Sequence, residues 1–201
     1  MTTSSTGRVR MTPEGRREQL LDLGARLLAT RTLDEVSIEL VAEEAGISRG
    51  LLYHYFANLQ EFHVAVVRRA VQDIYAITAP RDIDDPLEQL AASVGAYVDY
   101  VSENYTGYVS LIRAASGGNE ELRAIYLDAR RALTGRIFEI AGAEHLAALG
   151  VEDSAATRLL VDGWAAFVES VVVAWVEDPH GLSREELLQR LARALPAIVS
   201  R

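Results

Sequence analysis

The stretch AGISRGLLYHYF, residues 45–56, puts a glycine ahead of Ser48 and Arg49 and then sets Tyr53, His54, Tyr55 and Phe56 in four consecutive positions. A helix shows one side to its core, so four neighbouring rings cannot all be buried and some must face out. Just upstream, Ala42 is small where two helices would cross, Gly46 follows four residues later, and Ile47 and Leu52 are placed to plug the inside of a corner. A tight turn needs positive φ and close backbone approach, so these offsets predict a helix-turn-helix, although ordinary helical hairpins use similar spacing.

In such a corner the second helix turns Ile47, Leu51 or Leu52, and Phe56 inward, leaving Ser48, Arg49, Gly50, Tyr53 and His54 outside. A helix N-terminus offers unpaired N–H groups to a phosphate, and Ser48 adds a hydroxyl. Arg49 reaches a guanine edge or a phosphate, and Gly50 allows close approach to a groove floor. Tyr53, His54 and Tyr55 donate to phosphate oxygens or touch thymine methyls. The segment SIELVAEEAGISRGLLYHYF, residues 37–56, resembles the DNA-binding segment of the TetR family of transcriptional regulators, with its G-[IV]-S-x-G-x-[LI]-Y-x-[HY]-F signature. That resemblance implies a homodimer on a palindromic double-stranded DNA operator and a C-terminal domain that releases the DNA when it binds a small molecule. It assigns Ser37, Ser48, Arg49, Gly50, Tyr53, His54 and Tyr55 to positions that commonly touch DNA. Two positions depart from the family pattern: Leu59 stands where a phosphate-contacting lysine is usual, and Glu39 would repel a nearby phosphate. Arg8 and Arg10, with Arg16 and Arg17, are placed to restore the lost attraction through the DNA backbone or a minor groove.

Around this motif the chain reads as all-α. We expect a flexible basic arm over 1–12, a helix-turn-helix domain over 13–60, and an effector-binding and dimerisation domain over 61–201, in all about nine helices. The first helix opens at Pro13, which suits a first turn, and Ser37 and Ser48 are N-cap residues for the next two. Longer helices are expected over 59–78, 86–103, 105–115, 119–141, 154–178 and from Ser183 to near Ser200, where Glu186 completes a capping box.

The net charge of −9 hides a gradient: up to Leu33 there are six arginines against three acids, a local +3 that leaves −12 for the remainder. All 20 basic residues are arginine. With no cysteine there is neither a disulfide nor a thiolate metal site. The four histidines are scattered, and no nucleophile elbow or phosphate loop occurs, so no cofactor, metal or enzymatic activity is expected. MTTSSTGRVRM lacks the apolar core of a signal peptide, and the apolar stretches read as too short to span a bilayer. A cytoplasmic protein without a membrane partner is therefore expected.

Away from the motif, Tyr97, Tyr100, Tyr105, Tyr108, Phe138, Trp164 and Phe167 form an aromatic set that would line a cavity for an apolar or amphipathic effector, though each taken alone reads equally as core filler. Tyr126 belongs to the same aromatic population, and Arg113 and Glu169 are candidate polar anchors or surface pairs. Between Ala165 and Val176 the apolar residues occupy nearly every side, and such a helix must be covered all round. Val168, Val172 and Trp175, with Leu187, Leu191 and Leu195 of the last helix, are therefore expected to form an isologous dimer interface, the alternative being burial within the monomer alone. The competing reading is an all-α small-molecule-binding protein or enzyme in which the corner is only structural.

Overall fold

The computed structural model describes residues 12–148 and 151–199; the arm residues Arg8 and Arg10 lie outside them. Among the described residues nine α-helices follow one another: α1 (Pro13–Leu28), α2 (Ile38–Glu44), α3 (Arg49–Tyr55), α4 (Leu59–Ile77), α5 (Pro86–Glu103), α6 (Tyr105–Ser116), α7 (Glu120–Ala148), α8 (Ala155–Glu177) and α9 (Arg184–Val199). A 3-10 turn over Leu33–Glu35, not foreseen in the sequence, joins α1 to α2. No strand occurs among the described residues. The helix starts follow from their caps: the side chains of Thr12, Ser37, Ser48, Asn58, Asp85 and Ser154 each accept a backbone N–H in the first turn that follows. Helix α7 runs on past the expected end at 141 and through Gly142 to Ala148. One glycine costs a helix only about 1 kcal/mol, which tertiary packing outweighs.

Two apolar cores organise the helices. The first gathers Leu20, Leu21 and Leu28 of α1, Val41 of α2, Leu52 of α3, Phe56, and Phe62, Val64, Val66 and Val67 of α4. Phe56 and Phe62 are fully buried and meet edge to face, 5.0 Å between centroids. The second core gathers Val94, Val98 and Val101 of α5 with Phe138, Val161, Trp164, Val168, Val172, Leu187, Leu191 and Leu195. Helix α4 belongs to both units, since its first half fills the first core and its second half borders a cavity beside the second.

The second core corrects two expectations. Val168, Val172, Leu187, Leu191 and Leu195 are buried inside one chain, so they have no surface to offer a partner. Trp175 is partly buried and its Nε1 donates to the Leu182 carbonyl across the α8–α9 turn, at 2.8 Å. The outer face of α8 carries the exposed apolar surface instead: Leu159 (71% exposed), Leu160 and Phe167 (47%), with Ala156, Gly163 and Ala174 along the same side. Second, at 23 residues α8 is long and apolar enough to cross a membrane by composition, contrary to the sequence reading. Here it packs on α5, α7 and α9.

Candidate nucleic-acid interface and central cavity

Helices α2 and α3 pack across a turn at Gly46, whose φ of +64° is the left-handed conformation the sequence called for. From this corner α3 buries Leu52 completely, while Leu51 lies partly exposed, which settles the choice between them. Ser48, Arg49, Gly50, Tyr53 (50% exposed) and His54 face solvent. Tyr55 is half-buried and packs against the first core, with His54 at its ring edge. The hydroxyls of Ser37 and Ser48 cap α2 and α3, accepting the N–H of Leu40 and Leu51, each at 3.2 Å. At Gly50 an added Cβ would meet only Ser48 Oγ, 3.9 Å away, so nothing inside the chain requires a glycine there.

Arg49 is not idle: its Nη1 donates to Glu39 Oε1 at 3.1 Å, an exposed bridge between α3 and α2. Glu39, read from the sequence as a repulsive charge, thus holds the guanidinium beside it and has its own carboxyl lowered by its backbone hydrogen bond and by Arg49. Arg16 donates to Gln19 at 2.7 Å, and the Arg17 guanidinium lies 4.9 Å over the Phe56 ring. Both are half-buried at the flank of the corner.

Between α4, α5, α6, α7, α8 and α9 lies a mostly apolar cavity of about 1060 Å³. Tyr97, Tyr108, Phe138 and Trp164 line it. Three other expected members do not: Tyr100 turns toward α4, where burial and the Asp73 charge push its phenol up to about 12; Tyr105 donates to Glu177 at 3.5 Å; and Phe167 is on the outer face of α8. Of the groups that make up the polar side of the cavity, the sequence offered Tyr126 and Glu169 as candidates but passed over Arg130. Glu169, with its side chain only 16% exposed, accepts from Tyr108 at 2.9 Å, from Tyr126, and from Arg130 at 3.1 Å. Arg130 also donates to Tyr126 and covers its ring, and Tyr97 bonds Tyr108 at 2.7 Å. The signal available in the sequence was the i, i+4 pair Tyr126 and Arg130 on α7. Arg113 is exposed and lies apart from this cluster.

Burial, together with the neighbouring Glu169 charge, pushes the phenols of Tyr97, Tyr108 and Tyr126 well above the usual tyrosine range. A phenol whose folded value is raised contributes stability that is complete below its unfolded value near 10 and lost as pH rises beyond it. Tyr97 and Tyr108 should each remove up to about 1.4 kcal/mol per pH unit above 10. Urea unfolding at pH 8, 10 and 11 should show this decline, and the Tyr97→Phe, Tyr108→Phe double variant should flatten it. An equally steep decline in that variant would mean that these phenols are not its source.

The cavity and the corner are joined by α6. An added Cβ at Gly107 would lie 2.0 Å from the Leu28 carbonyl oxygen, so the backbones of α6 and α1 are in direct contact. Ser110 Oγ accepts the Leu33 N–H at 2.9 Å. Tyr108, between these two contacts in sequence, bonds Glu169 beside the cavity.

Comparison with known proteins places both halves. Residues 20–66 match the family described as bacterial regulatory proteins, tetR family, and residues 86–198 match the tetracyclin repressor-like C-terminal domain. Among solved structures, a tetR-family transcriptional regulator from Streptomyces coelicolor superposes with a TM-score of 0.77 at 30% identity, covering 94% of this chain and 82% of that one. The HTH-type transcriptional activator FasR of Mycolicibacterium smegmatis is 22% identical over 90% of this chain and 81% of its own. The HTH-type transcriptional regulator BetI of Burkholderia ambifaria is 34% identical over 43% of this chain, a match that spans 46% of that protein.

Proposed function

The chain belongs to the TetR family of DNA-binding transcriptional regulators, and from that premise we propose that it is a homodimeric repressor released from a palindromic operator by a small molecule in the central cavity. It acts in the cytoplasm, without enzymatic activity, through a DNA-binding unit over 13–60 and an effector and dimerisation unit over 61–201. The observation that carries the reading is the division of α3: Leu52 is sealed into the core while Arg49, Tyr53 and His54 stand outside, next to a Gly50 that the fold itself does not need. These groups, with Ser37, Ser48 and Tyr55, enter the major groove and grip its edges, and Arg16 and Arg17 reach the flanking phosphates. Because their hydroxyls are already helix caps, Ser37 and Ser48 make smaller contributions than Arg49 and Tyr53.

Dimerisation uses the outer stripe of α8, Ala156, Leu160, Gly163, Phe167 and Ala174, packed on its twofold copy. Around Gly163 a Cβ would meet nothing within 4 Å, so a glycine there serves the approach of a second helix rather than the monomer. Effector binding is relayed along α4, which borders the cavity, and through the α6 contacts at Leu28 and Leu33. A ligand shifts this equilibrium only by its difference in affinity for the two arrangements. The activator named among the relatives supports a second reading, in which the bound protein recruits transcription rather than blocking it. A reporter driven by the DNA flanking the gene separates them: deletion of the gene raises expression under the first reading and lowers it under the second.

Phe167→Glu tests the dimer. It sets two carboxylates against each other across the twofold axis, at an exposed site where the monomer loses little. We expect a monomer by analytical ultracentrifugation, with operator affinity reduced at least about 100-fold, because two half-sites no longer bind as one unit. A dimer that survives this change places the interface elsewhere.

A further inference from the structure

The charges that line the cavity can be paired off. Arg68 meets Glu121 at 3.6 Å, Arg130 meets Glu169, and Asp128 holds Arg131 at 3.2 Å. Asp85 accepts the Leu87 and Glu88 N–H groups as the cap of α5. The remaining charge is Arg136 of α7, which among the described residues has no carboxylate partner. Its Nη2 donates to the Tyr75 carbonyl of α4 at 2.7 Å, and its guanidinium lies over the Tyr75 ring, 3.4 Å from the centroid. Its Nη1 is buried with no hydrogen-bond partner. A buried donor on a cation is costly to leave unmet. Several other polar handles of the cavity are committed: Trp164 Nε1 donates to the Leu191 carbonyl at 3.1 Å, and Tyr97, Tyr108 and Tyr126 are bonded among themselves and to Glu169.

We infer that the effector is an anionic amphiphile, an apolar chain or ring system ending in a carboxylate or phosphate, with the anion drawn to the Arg136 guanidinium, whose Nη1 turns from its buried position to meet it, and the apolar body among Ile74, Leu90, Val94, Leu133 and Trp164. The inference rests on the reading of this cavity as the effector site. A cationic or zwitterionic ammonium ligand is disfavoured, because Glu121, Asp128 and Glu169 each hold an arginine and Asp85 is committed to the first turn of α5, whereas Arg136 holds no carboxylate among the described residues. Carboxylate and phosphate both present the oxygens a guanidinium fork takes. The apolar walls make affinity rise with chain length, by roughly fourfold per methylene. Because Arg136 also holds the Tyr75 carbonyl, an anion that draws on this guanidinium acts directly on the attachment of α7 to α4.

The test is calorimetric titration of the full chain with octanoate, decanoate, decyl phosphate, decanol and decylamine. Decanoate or decyl phosphate should bind at least about tenfold more tightly than decanol, with decylamine weakest, and the stronger of the two anions identifies the head group. Arg136→Gln should lower the anion's affinity to that of decanol while decanol is unaffected, and Arg136→Lys should keep the preference for anions. Decanol or decylamine binding as tightly as decanoate would overturn the inference, as would the absence of binding by any of these anions. The wild-type series decides this without reliance on any variant. Operator binding without ligand is measured separately, so failure to bind DNA counts against the proposed function and failure to prefer anions counts only against this assignment.

Discussion

Replacing Arg49 and Tyr53 together with alanine is expected to weaken operator binding by about 100- to 1,000-fold while the thermal unfolding curve stays in place. The size follows from the contacts at stake: a guanidinium bidentate to guanine is worth about 1–3 kcal/mol of discrimination, and loss of the Tyr53 ring and hydroxyl adds a contribution of similar order. The unfolding curve stays because neither side chain supports the fold. Both are exposed, and among the described residues the only side-chain hydrogen bond or ion pair broken is the surface bridge from Arg49 to Glu39. Such bridges contribute about 0–1 kcal/mol. The same bridge supplies a control of opposite sign. Arg49 must leave Glu39 to meet DNA, and the Glu39 carboxylate then faces phosphates, so Glu39→Gln should tighten binding several-fold and steepen its decline with added salt. Fluorescence anisotropy on one operator fragment measures all three proteins. An Arg49, Tyr53 double variant that binds like wild type would leave the helical corner a merely structural feature.

Glu169→Ala is expected to destabilise the fold markedly. One carboxylate on α8 organises Tyr108 of α6 and Tyr126 and Arg130 of α7 directly, and Tyr97 of α5 through Tyr108. Its removal leaves Arg130, mostly shielded from water, without a counter-charge and the phenols of Tyr108 and Tyr126 without their acceptor. Breaking a buried pair costs about 3–5 kcal/mol. With Arg130 23% exposed, water recovers part of this, and about 2–3 kcal/mol remains, a fall in Tm of roughly 5–10 °C for a chain of this size. Glu169→Gln, which keeps an acceptor but not the charge, should recover part of the loss. A Tm within 1–2 °C of wild type for the alanine variant would show that the cluster does not hold these four helices together.

The helical corner was legible because its requirements are local. Gly46 must take positive φ, Ser37 and Ser48 must cap, and Leu52 and Phe56 must be buried; each is a demand that neighbours in sequence reveal. The cavity was only half legible. Residues three apart on a helix differ by about 60° in direction, so Tyr97 reaches the cavity while Tyr100 turns to α4, and Trp164 is buried while Phe167 points outward. The burial of the expected dimer residues inside one chain has a related reason. In a helix apolar on all sides, periodicity does not say which side meets its own chain. The large residues Val168 and Val172 drew attention, yet they fill the monomer core, and the stripe left outside contains Ala156, Gly163 and Ala174, whose small size hides it from any count of apolar bulk. Glu169 was offered only as an anchor or a surface pair, and Arg136 was out of reach, because their roles depend on contacts made between distant helices.

The central claim is that two outward-facing α3 helices, carried by a dimer, read a palindrome in adjacent major grooves. Hydroxyl-radical footprinting with methylation interference, on an operator selected from random DNA, tests it most directly. The account predicts two symmetric sets of major-groove guanine contacts, centred one helical turn or a whole-number multiple apart, both lost in the Arg49, Tyr53 double variant. A single asymmetric contact set, or a twofold pattern that persists in that variant, would contradict it.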